Sequence, residues 1–400
     1  MTSAPSLGAR PLRIAYITKE PLPSTDAATV QIVQTASALA RAGAELDLFV
    51  PVPALGGRRS AEALRAELRA QYHTSCDFGL RPLATGLRPL ETVSVGLHWI
   101  AAGLAAARDH YDLVHTRDVQ NVLFGLAAGC RVSYESYRTP DSPPALVRGV
   151  LRRAFAAPRF LGQITHSRFA RERYVARGYP AEKIRTIYNG FDPEAFAIER
   201  SPAEARRLLG LPERVTVAYA GRIAELKRID LLLDAAAATP ELSWLLAGDS
   251  ESAEAAPFVA RAATLPNVTL LGYRAGTALA PALQAADILV IPPSAEPLQR
   301  FGSTVLPLKV FQYLAAGRPL VVGDVADTAE LLQQDATCLR VPPDELPPFV
   351  AAIRSLAEDP ARRARLGSAA RALAQGLSWD ARASRMLEYF RERLAASESR

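Results

Sequence analysis

The sequence predicts an α/β protein built from two doubly wound, Rossmann-like parallel sheets. Short β-branched runs alternate with Ala-, Leu- and Arg-rich helical stretches through nearly all of the 400 residues. Several runs are continuously apolar for four to six residues, the pattern of parallel strands covered by helices on both faces. The length suggests two domains. Repeated β–α alternation over such a length predicts one doubly wound sheet in each domain.

In the first half, six segments are predicted as strands, with helical patterns between them. The helical pattern Ala28–Ala42 ends at Gly43, a residue type that favours the end of a helix. Residues 54–90 are poorly patterned, and no strand is predicted there. The predicted strands are Arg13–Thr18, Leu46–Val52, Asp112–Thr116, Arg131–Glu135, Gln163–His166 and Lys183–Tyr188.

The second half begins after a turn at Asn189–Pro193, and Ser201-Pro202 opens its first helix. We therefore predict a first domain over residues 1–190 and a second over residues 191–377. Residues 378–400 are predicted as a C-terminal crossover helix that packs across the domains. The predicted strands are Val215–Ala220, Trp244–Ala247, Val268–Leu271, Ile288–Ile291, Leu320–Val322 and Cys338–Val341.

Composition restricts the class of protein. With 49% apolar and 22% charged residues, wholesale disorder is disfavoured. No apolar run reaches the ~18 residues of a transmembrane helix, and the start lacks a signal-peptide pattern. Three widely separated cysteines, Cys76, Cys130 and Cys338, indicate a reducing compartment without a disulfide framework. A cytoplasmic protein is the resulting expectation.

Charge is distributed unevenly along the chain. Residues 1–190 hold 24 Lys and Arg against 15 Asp and Glu, or +9, whereas the remainder holds 23 against 26, or −3. The segment Arg148 to Arg185 has ten basic and two acidic residues. An arginine-rich helix can contact an anionic membrane, here at the inner face; solvated arginines are the alternative. The segment lacks interleaved aromatics, so no nucleic-acid partner is predicted.

The clearest candidate site follows the first strand of the second half. Gly221 and Arg222 come directly after Val215–Ala220, and Lys227 precedes a helix predicted to begin around Arg228. Ligands of open α/β sheets bind outside the carboxyl ends of the strands. Two cations beside a helix N-terminus suit a diphosphate. A solvated Arg and Lys on a surface loop are the alternative interpretation.

A second candidate segment, Pro292 to Asp324, leads from a buried strand into a short helix. Gly317 is predicted to end this helix, and Pro319 to open the next strand. Lys309 stands near the start of the helix. This arrangement predicts that the helix N-terminus and Lys309 lie at the mouth of the sheet.

Taken together, these segments resemble the bacterial retaining glycosyltransferases of family 4, which have the GT-B architecture of two facing Rossmann-like domains. The resemblance covers residues 188–324 in order and spacing, and the first half more loosely. The matching motifs are Tyr188–Asp192, Gly221-Arg222 with Lys227 and Asp230, Ala247–Asp249, Leu271–Tyr273, Pro307–Lys309 and Gly317–Pro319.

The resemblance implies a hexosyltransferase that moves a sugar from a nucleoside diphosphate sugar to a glycan, lipid-linked or small-molecule acceptor, with retention of configuration. It assigns Arg222 and Lys227 to the donor diphosphate as catalytic cations. Gly221, Lys309 and Asn189 are expected beside the donor. The sequence has no Asp-x-Asp motif, so neither a metal nor another cofactor is expected.

The family's Glu-x7-Glu pattern falls on Thr304 and Gln312, so both carboxylates are missing. Gln312 can still hydrogen-bond ribose hydroxyls through its amide, and the nearby Glu296 can lend a carboxylate. His115, at the end of a predicted strand, corresponds to a family histidine presented to the donor sugar. A satisfied core or loop histidine is the alternative for His115.

In the first domain, Ser24, Thr25 and Arg117 are expected on the acceptor side. Ser24 and Thr25 follow the first strand and precede a helix N-terminus, and Arg117 follows the strand that ends near His115. Arg117 could equally face the diphosphate. These positions are expected to border the acceptor or a phosphate.

Two other functions remain open. The missing carboxylates fit a GT-B protein without transferase activity that binds or regulates another glycosyltransferase. A sugar-nucleotide epimerase could share the architecture. A dinucleotide-dependent oxidoreductase is disfavoured because no Gly-x-Gly-x-x-Gly follows either first strand.

Overall fold

A computed structural model of the chain describes residues 10–53, 60–86, 91–141, 143–296, 299 and 306–398. The chain forms two compact units. The first comprises Met1–Asn189 together with Trp379–Arg400, and the second comprises Gly190–Ser378. Each unit contains one sheet whose strand pairs are all parallel, so the predicted α/β class with two Rossmann-like sheets is confirmed.

The first sheet has the strand order β3-β2-β1-β4-β5-β6-β7, and the second has the order β10-β9-β8-β11-β12-β13. In both sheets the chain starts at an inner strand, proceeds to one edge, and returns to the other side of its starting strand. The strands are β1 (Arg13–Ile17), β2 (Glu45–Pro53), β3 (Gly79–Gly86), β4 (Leu113–Thr116), β5 (Val132–Ser136), β6 (Phe160–Thr165), β7 (Ile184–Thr186), β8 (Thr216–Ala220), β9 (Ser243–Ala247), β10 (Val268–Leu270), β11 (Ile288–Val290), β12 (Leu320–Gly323) and β13 (Cys338–Val341).

The connections between strands are mostly helical. The α-helices are α1 (Ala27–Arg41), α2 (Ala61–Tyr72), α3 (Glu91–Arg108), α4 (Val119–Ala127), α5 (Ala145–Ala156), α6 (Arg168–Ala176), α7 (Pro202–Leu209), α8 (Ile229–Ala238), α9 (Ala256–Ala262), α10 (Leu279–Gln284), α11 (Leu308–Ala316), α12 (Ala326–Ala329), α13 (Leu346–Glu358), α14 (Pro360–Ala374) and α15 (Trp379–Glu398). Short 3₁₀ turns occupy Ala181–Lys183, Glu194–Phe196, Glu225–Lys227 and Gly276–Ala278.

Strand β3 is the element that the sequence patterns miss. It contains Pro82 and has a glycine at each end, residue types that weaken a strand signal. Its place at the edge of the sheet explains why they are tolerated, since it pairs with β2 alone. Only Leu80 of the strand is buried, so the continuous apolar run of an inner strand is absent.

Two predicted helix ends in the second unit are confirmed. The Ser201 side chain accepts a hydrogen bond from the amide of Glu204, and the Glu204 carboxylate accepts one from the amide of Ser201. This capping box satisfies amides that the first turn of α7 would otherwise leave free. Gly317 ends α11 in the left-handed conformation at φ 65°, and β12 begins at Leu320.

The C-terminal helix α15 belongs to the first unit. The apolar positions that predicted an amphipathic helix are all buried, namely Trp379, Met386, Leu387, Phe390 and Leu394. On the first sheet, α15 packs beside α1 and against β6, whereas α3, α4 and α5 pack side by side. Right-handed crossovers place these two groups of helices on opposite faces.

No helix in the part of the chain that the structure describes combines the length and the hydropathy required to cross a bilayer.

Candidate active site

Each sheet contains a point at which successive connections run in opposite directions. In the second sheet β8 and β11 are neighbours, yet the chain leaves β8 towards β9 and leaves β11 towards β12. A crevice opens at the carboxyl ends of two such strands, and doubly wound sheets bind ligands there. Gly221, Arg222 and Lys227 follow β8, and Lys309 follows β11. The topology therefore brings the predicted donor-site residues to one edge of the sheet.

The side chain of Lys309 is fixed by β8. Its Nζ atom lies 3.8 Å from the centroid of the Tyr219 ring. Tyr219 is buried, and its hydroxyl donates a hydrogen bond to the carbonyl of Arg222 at 2.9 Å. Gly221 leaves room for the ammonium group, because a Cβ at this position would stand 2.5 Å from Nζ. Lys309 thus lies over the turn that carries Arg222.

The backbone of this turn is held by neighbouring elements. The hydroxyl of Tyr313, on α11, accepts a hydrogen bond from the Ala220 amide at 2.6 Å and lies 3.3 Å from the Ala220 carbonyl. Gly248, directly after β9, allows close approach of the Gly221 carbonyl, which a Cβ at residue 248 would meet. Sequence reasoning assigned no function to Tyr219 or Tyr313, because a tyrosine in an apolar run is ordinarily a core residue.

The edge of the second sheet is strongly cationic. Arg222 pairs with Glu254 at 2.7 Å, and both side chains are exposed. In the described ranges no acidic side chain pairs with Lys227 or Lys309. Desolvation and the nearby Lys227 hold the pKa of Lys309 well below its ordinary value, and desolvation and Arg222 lower the pKa of Lys227. Cations that repel one another without a counter-ion are electrostatically suited to a multivalent anion.

The other residues predicted to contact the donor do not all lie beside Lys309. Gln312 is half-buried one turn beyond Lys309 on α11, so the two side chains share a face of that helix. Glu296 follows β11, and its amide donates to the Ser294 hydroxyl at 3.2 Å. Thr304 lies outside the described residues. Asn189 lies in the first unit, where its amide nitrogen is 3.3 Å from Nδ1 of His166.

His115 is fully buried in the first unit. Its Nε2 atom is 3.0 Å from a carboxylate oxygen of Glu135. The ring packs between aromatic neighbours, with centroids 4.8 Å from that of Tyr16 and 5.4 Å from that of Phe390. These surroundings favour the alternative interpretation of His115 as an interior histidine, bonded through Nε2, while its buried Nδ1 atom has no hydrogen-bond partner among the described residues.

Glu135 is the centre of a buried ionic cluster that sequence reasoning did not find. Arg382, on α15, pairs with it at 2.8 Å, and the side-chain amide of Gln31 donates to it at 2.6 Å. His166 contacts the same carboxylate. Burial alone would raise the pKa of Glu135, but Arg382 and His166 hold it well below its ordinary value. The partners stand far apart in sequence, so no local motif marks the cluster.

The predicted acceptor-side residues lie at the corresponding point of the first sheet, where β1 and β4 are neighbours. Ser24 follows β1, and its backbone amide and carbonyl both bind the hydroxyl of Tyr72. Thr25 is exposed just before α1. Arg117 follows β4, donates to the carbonyl of Ala28 at 3.0 Å, and lies 5.4 Å from the centroid of the Tyr137 ring. The structure therefore brings Ser24, Thr25 and Arg117 to one edge.

Metal-ligating residues are not clustered in the described part of the chain. No group of three or more His, Cys, Asp or Glu side chains there is placed to hold a metal ion.

Two successive doubly wound units, each with the strand order of a Rossmann-like sheet, are the architecture of a glycosyltransferase of the GT-B fold. Comparison with protein families agrees: the model of Glycosyltransferase Family 4 matches residues 28–195, and that of Glycosyl transferases group 1 matches residues 214–359. The chain belongs to glycosyltransferase family 4, as the motifs predicted. It is a hexosyltransferase-type enzyme.

Similar proteins are known over the whole chain. The D-inositol 3-phosphate glycosyltransferase of Kribbella flavida is 29% identical, with 98% of each chain covered. The sucrose-phosphate synthase structure from Thermosynechococcus elongatus has a TM-score of 0.74 at 22% identity, covering 97% of this chain and all of that one. The structure of Anabaena HepE in complex with UDP has a TM-score of 0.70 at 20% identity, covering 94% and 99%. The predicted GT-B fold is confirmed.

Proposed function

We propose that this enzyme transfers a hexosyl residue from a nucleoside diphosphate sugar held by the second unit. The observation that carries the proposal is the convergence of Lys227 and Lys309 beside Arg222, where neither lysine has an acidic partner within the described residues. A pyrophosphate supplies the missing negative charge. The UDP in the similar HepE structure supports a uridine nucleotide as the first donor to test.

Sugar transfer requires stabilisation of the departing diphosphate. Arg222 and Lys227 stabilise the charge that develops on the leaving oxygen as the glycosidic bond breaks, and such preorganised groups are each worth about 3–4 kcal/mol. We propose that no metal is needed, since the cations neutralise the diphosphate. Configuration is retained, and the leaving phosphate takes the proton of the attacking acceptor hydroxyl. No side chain is assigned as a nucleophile.

The remaining donor contacts are proposed on the same face of α11 and in the loop after β11. Gln312 hydrogen-bonds the ribose hydroxyls through its amide, which both donates and accepts. Glu296 and Thr304 are assigned to the sugar ring. His115 is not given a catalytic part, because its side chain is fully buried against Glu135.

The acceptor is proposed to bind the first unit beside Ser24, Thr25 and Arg117. A glycan, lipid-linked or small-molecule acceptor is expected, since the relative from Kribbella flavida is named for an inositol phosphate. The arginine-rich segment between Arg148 and Arg185 supports a cytoplasmic enzyme in peripheral contact with an anionic membrane. No nucleic acid takes part in this proposal.

A thermal-shift screen of UDP-, GDP- and ADP-sugars tests the donor assignment. A ligand present at about 100 times its Kd should stabilise the folded state by about 2.7 kcal/mol. The matching nucleoside monophosphates are the control, because they lack the pyrophosphate. If no diphosphate sugar raises the melting temperature above its monophosphate, the proposed site is wrong. Product analysis with a labelled donor would then separate transfer from epimerisation or simple binding.

A further inference from the structure

Helix α3 exposes a row of large aliphatic side chains. Val93, Leu97, Ile100 and Leu104 recur at steps of four, three and four residues, which places them on one helix face. Their exposed fractions are 49%, 44%, 43% and 60%. No Asp, Glu, Lys or Arg stands between residues 92 and 107. These four side chains form the α3 stripe.

The opposite face of α3 is the one that packs on the first unit, through the buried residues Trp99, Ala102 and Ala106. A helix between a core and water normally carries its polar residues on the outer face. Here the outer face is as apolar as the inner one. A contiguous exposed apolar surface of this kind marks an interaction site.

The neighbouring helices also expose large aliphatic side chains. α4 packs beside α3, and α5 packs beside α4. Leu123 of α4 is 39% exposed, and Leu146 of α5 is 81% exposed. Three helices that pack side by side thus expose large aliphatic side chains, and α3 exposes most of them.

Charge on α5 indicates what covers this surface. Arg152 and Arg153 are exposed, and in the described ranges no acidic side chain pairs with either. An anionic bilayer meets both features, because aliphatic side chains enter the acyl boundary while arginines contact the headgroups.

We infer that the α3 stripe docks on the surface of an anionic lipid bilayer, with Arg152 and Arg153 contacting the lipid headgroups. The inference rests on the membrane contact proposed above and adds the helix that makes it. It does not depend on sugar transfer, because docking requires no turnover.

Co-sedimentation of the full chain with lipid vesicles tests the inference. Wild-type protein should sediment with vesicles of mixed phosphatidylcholine and phosphatidylglycerol, and stay in solution with phosphatidylcholine alone. The double variant Leu97→Ser, Leu104→Ser should lower the partition coefficient at least about tenfold, because two leucines leave the interface. The matched control is Ile198→Ser, Leu208→Ser, since these residues of the second unit are 63% and 61% exposed. The control should bind like wild type.

A charge-reversal pair tests the arginines separately. Arg152→Glu, Arg153→Glu should abolish binding to the mixed vesicles, whereas Arg207→Glu, Arg214→Glu makes the same change of net charge in the second unit and should retain most of it. Both control arginines are exposed. An equal loss of vesicle binding in the two double variants would show that net charge alone governs binding. It would overturn the proposal that Arg152 and Arg153 contact the lipid headgroups.

Three further outcomes would overturn the inference. They are failure of the wild type to bind mixed vesicles, unchanged binding by Leu97→Ser, Leu104→Ser, and a wild-type dimer that this variant converts to a monomer without any vesicle binding. The donor-induced thermal shift should be the same in wild type and variant. A wild type that docks on vesicles yet shows no shift with any donor would refute the proposed donor site and leave the docking surface unaffected.

Discussion

Lys309 and Tyr219 form a cation–π pair, with the lysine Nζ atom 3.8 Å from the centroid of the tyrosine ring. The contact joins the first turn of α11 to the central strand β8. An aromatic face attracts an ammonium group without neutralising its charge. Tyr219 can therefore hold Lys309 in position without removing the charge that its protonated form offers a ligand.

Removal of the Tyr219 ring should weaken donor binding. Tyr219→Leu deletes the face on which Lys309 lies, and we expect nucleoside diphosphate affinity to fall by about 1–2 kcal/mol. Tyr219→Phe keeps the ring and loses only the hydrogen bond to the Arg222 carbonyl. Calorimetric titration of both variants checks this order. Equal losses would show that the hydroxyl, and not the ring, supports the site.

Lys227 should matter for catalysis and little for stability. Its side chain is exposed and has no ion-pair partner in the part of the chain that the structure describes. We expect Lys227→Ala to lower kcat by about 10²–10³, the usual cost of one preorganised group at a developing charge. The melting temperature without ligand should stay unchanged. Lys227→Arg is the matched variant, and full activity in Lys227→Ala would refute the assigned function.

Donor affinity should fall as the pH rises above neutrality. Because burial and Lys227 lower the pKa of Lys309, rising pH should neutralise this amine in the free enzyme earlier than an ordinary lysine, and anion binding must then take up a proton. Lys309→Arg keeps its charge throughout this range, so its affinity should depend less on pH. Titrations above neutral pH, where the diphosphate is fully ionised, compare the two. Identical slopes would show that Lys309 is already charged in the free enzyme.

Acid should destabilise the first unit through His98. Burial lowers the pKa of this histidine to about 4, against an ordinary value of 6.5. In the unfolded chain His98 is protonated below pH ~6.5, whereas in the folded chain it is protonated only below pH ~4. The free energy of unfolding therefore falls as the pH is lowered from ~6.5 to ~4. At about pH 5 the loss from this group is roughly 2 kcal/mol.

Urea unfolding of wild type and His98→Gln at about pH 7 and pH 5 measures this contribution, because glutamine does not titrate. The variant should be less stable at neutral pH and should lose less on acidification. A loss on acidification that is the same in both proteins would show that other groups govern the acid response.

Sequence patterns placed the predicted residues of the second unit at one edge of its sheet, because each of them follows a strand at that edge. The location of Arg222 and Lys227 after β8, and of Lys309 after β11, needs only strand order and the carboxyl-edge rule. His115 satisfied the same rule, yet its side chain is fully buried because it points at Glu135. Strand patterning gives the position of a residue along the chain, whereas the surroundings of its side chain depend on partners from distant segments.

The same limit explains what the patterns missed. Tyr219 resembles any buried strand residue until α11 places Lys309 on its ring. Arg382 is one of many arginines in the sequence. Its structural importance comes from its ion pair with Glu135, which lies far from it along the chain. Strand β3 was missed for a local reason, since an edge strand with Pro82 lacks the apolar run that marks inner strands.

Loss of the Arg382 side chain should destabilise the first unit strongly. Arg382→Met leaves the buried Glu135 carboxylate without its main counter-ion, a change that typically costs about 3–5 kcal/mol. The guanidinium also donates to the carbonyls of Ile187 and Tyr188 at 2.8 and 3.0 Å. Combining Arg382→Met with Glu135→Gln should restore part of the loss in urea unfolding. A double variant as unstable as the sum of the single variants would show that the two groups do not interact.

Because α15 supplies Arg382, the first unit is assembled from two stretches of chain separated by the whole second unit. During synthesis the Glu135 carboxylate is therefore made long before its counter-ion, and the first unit reaches its final form only after α15 has been made. A fragment that stops at Asn189 lacks that helix, and an exchange of first units between relatives would have to carry both stretches together.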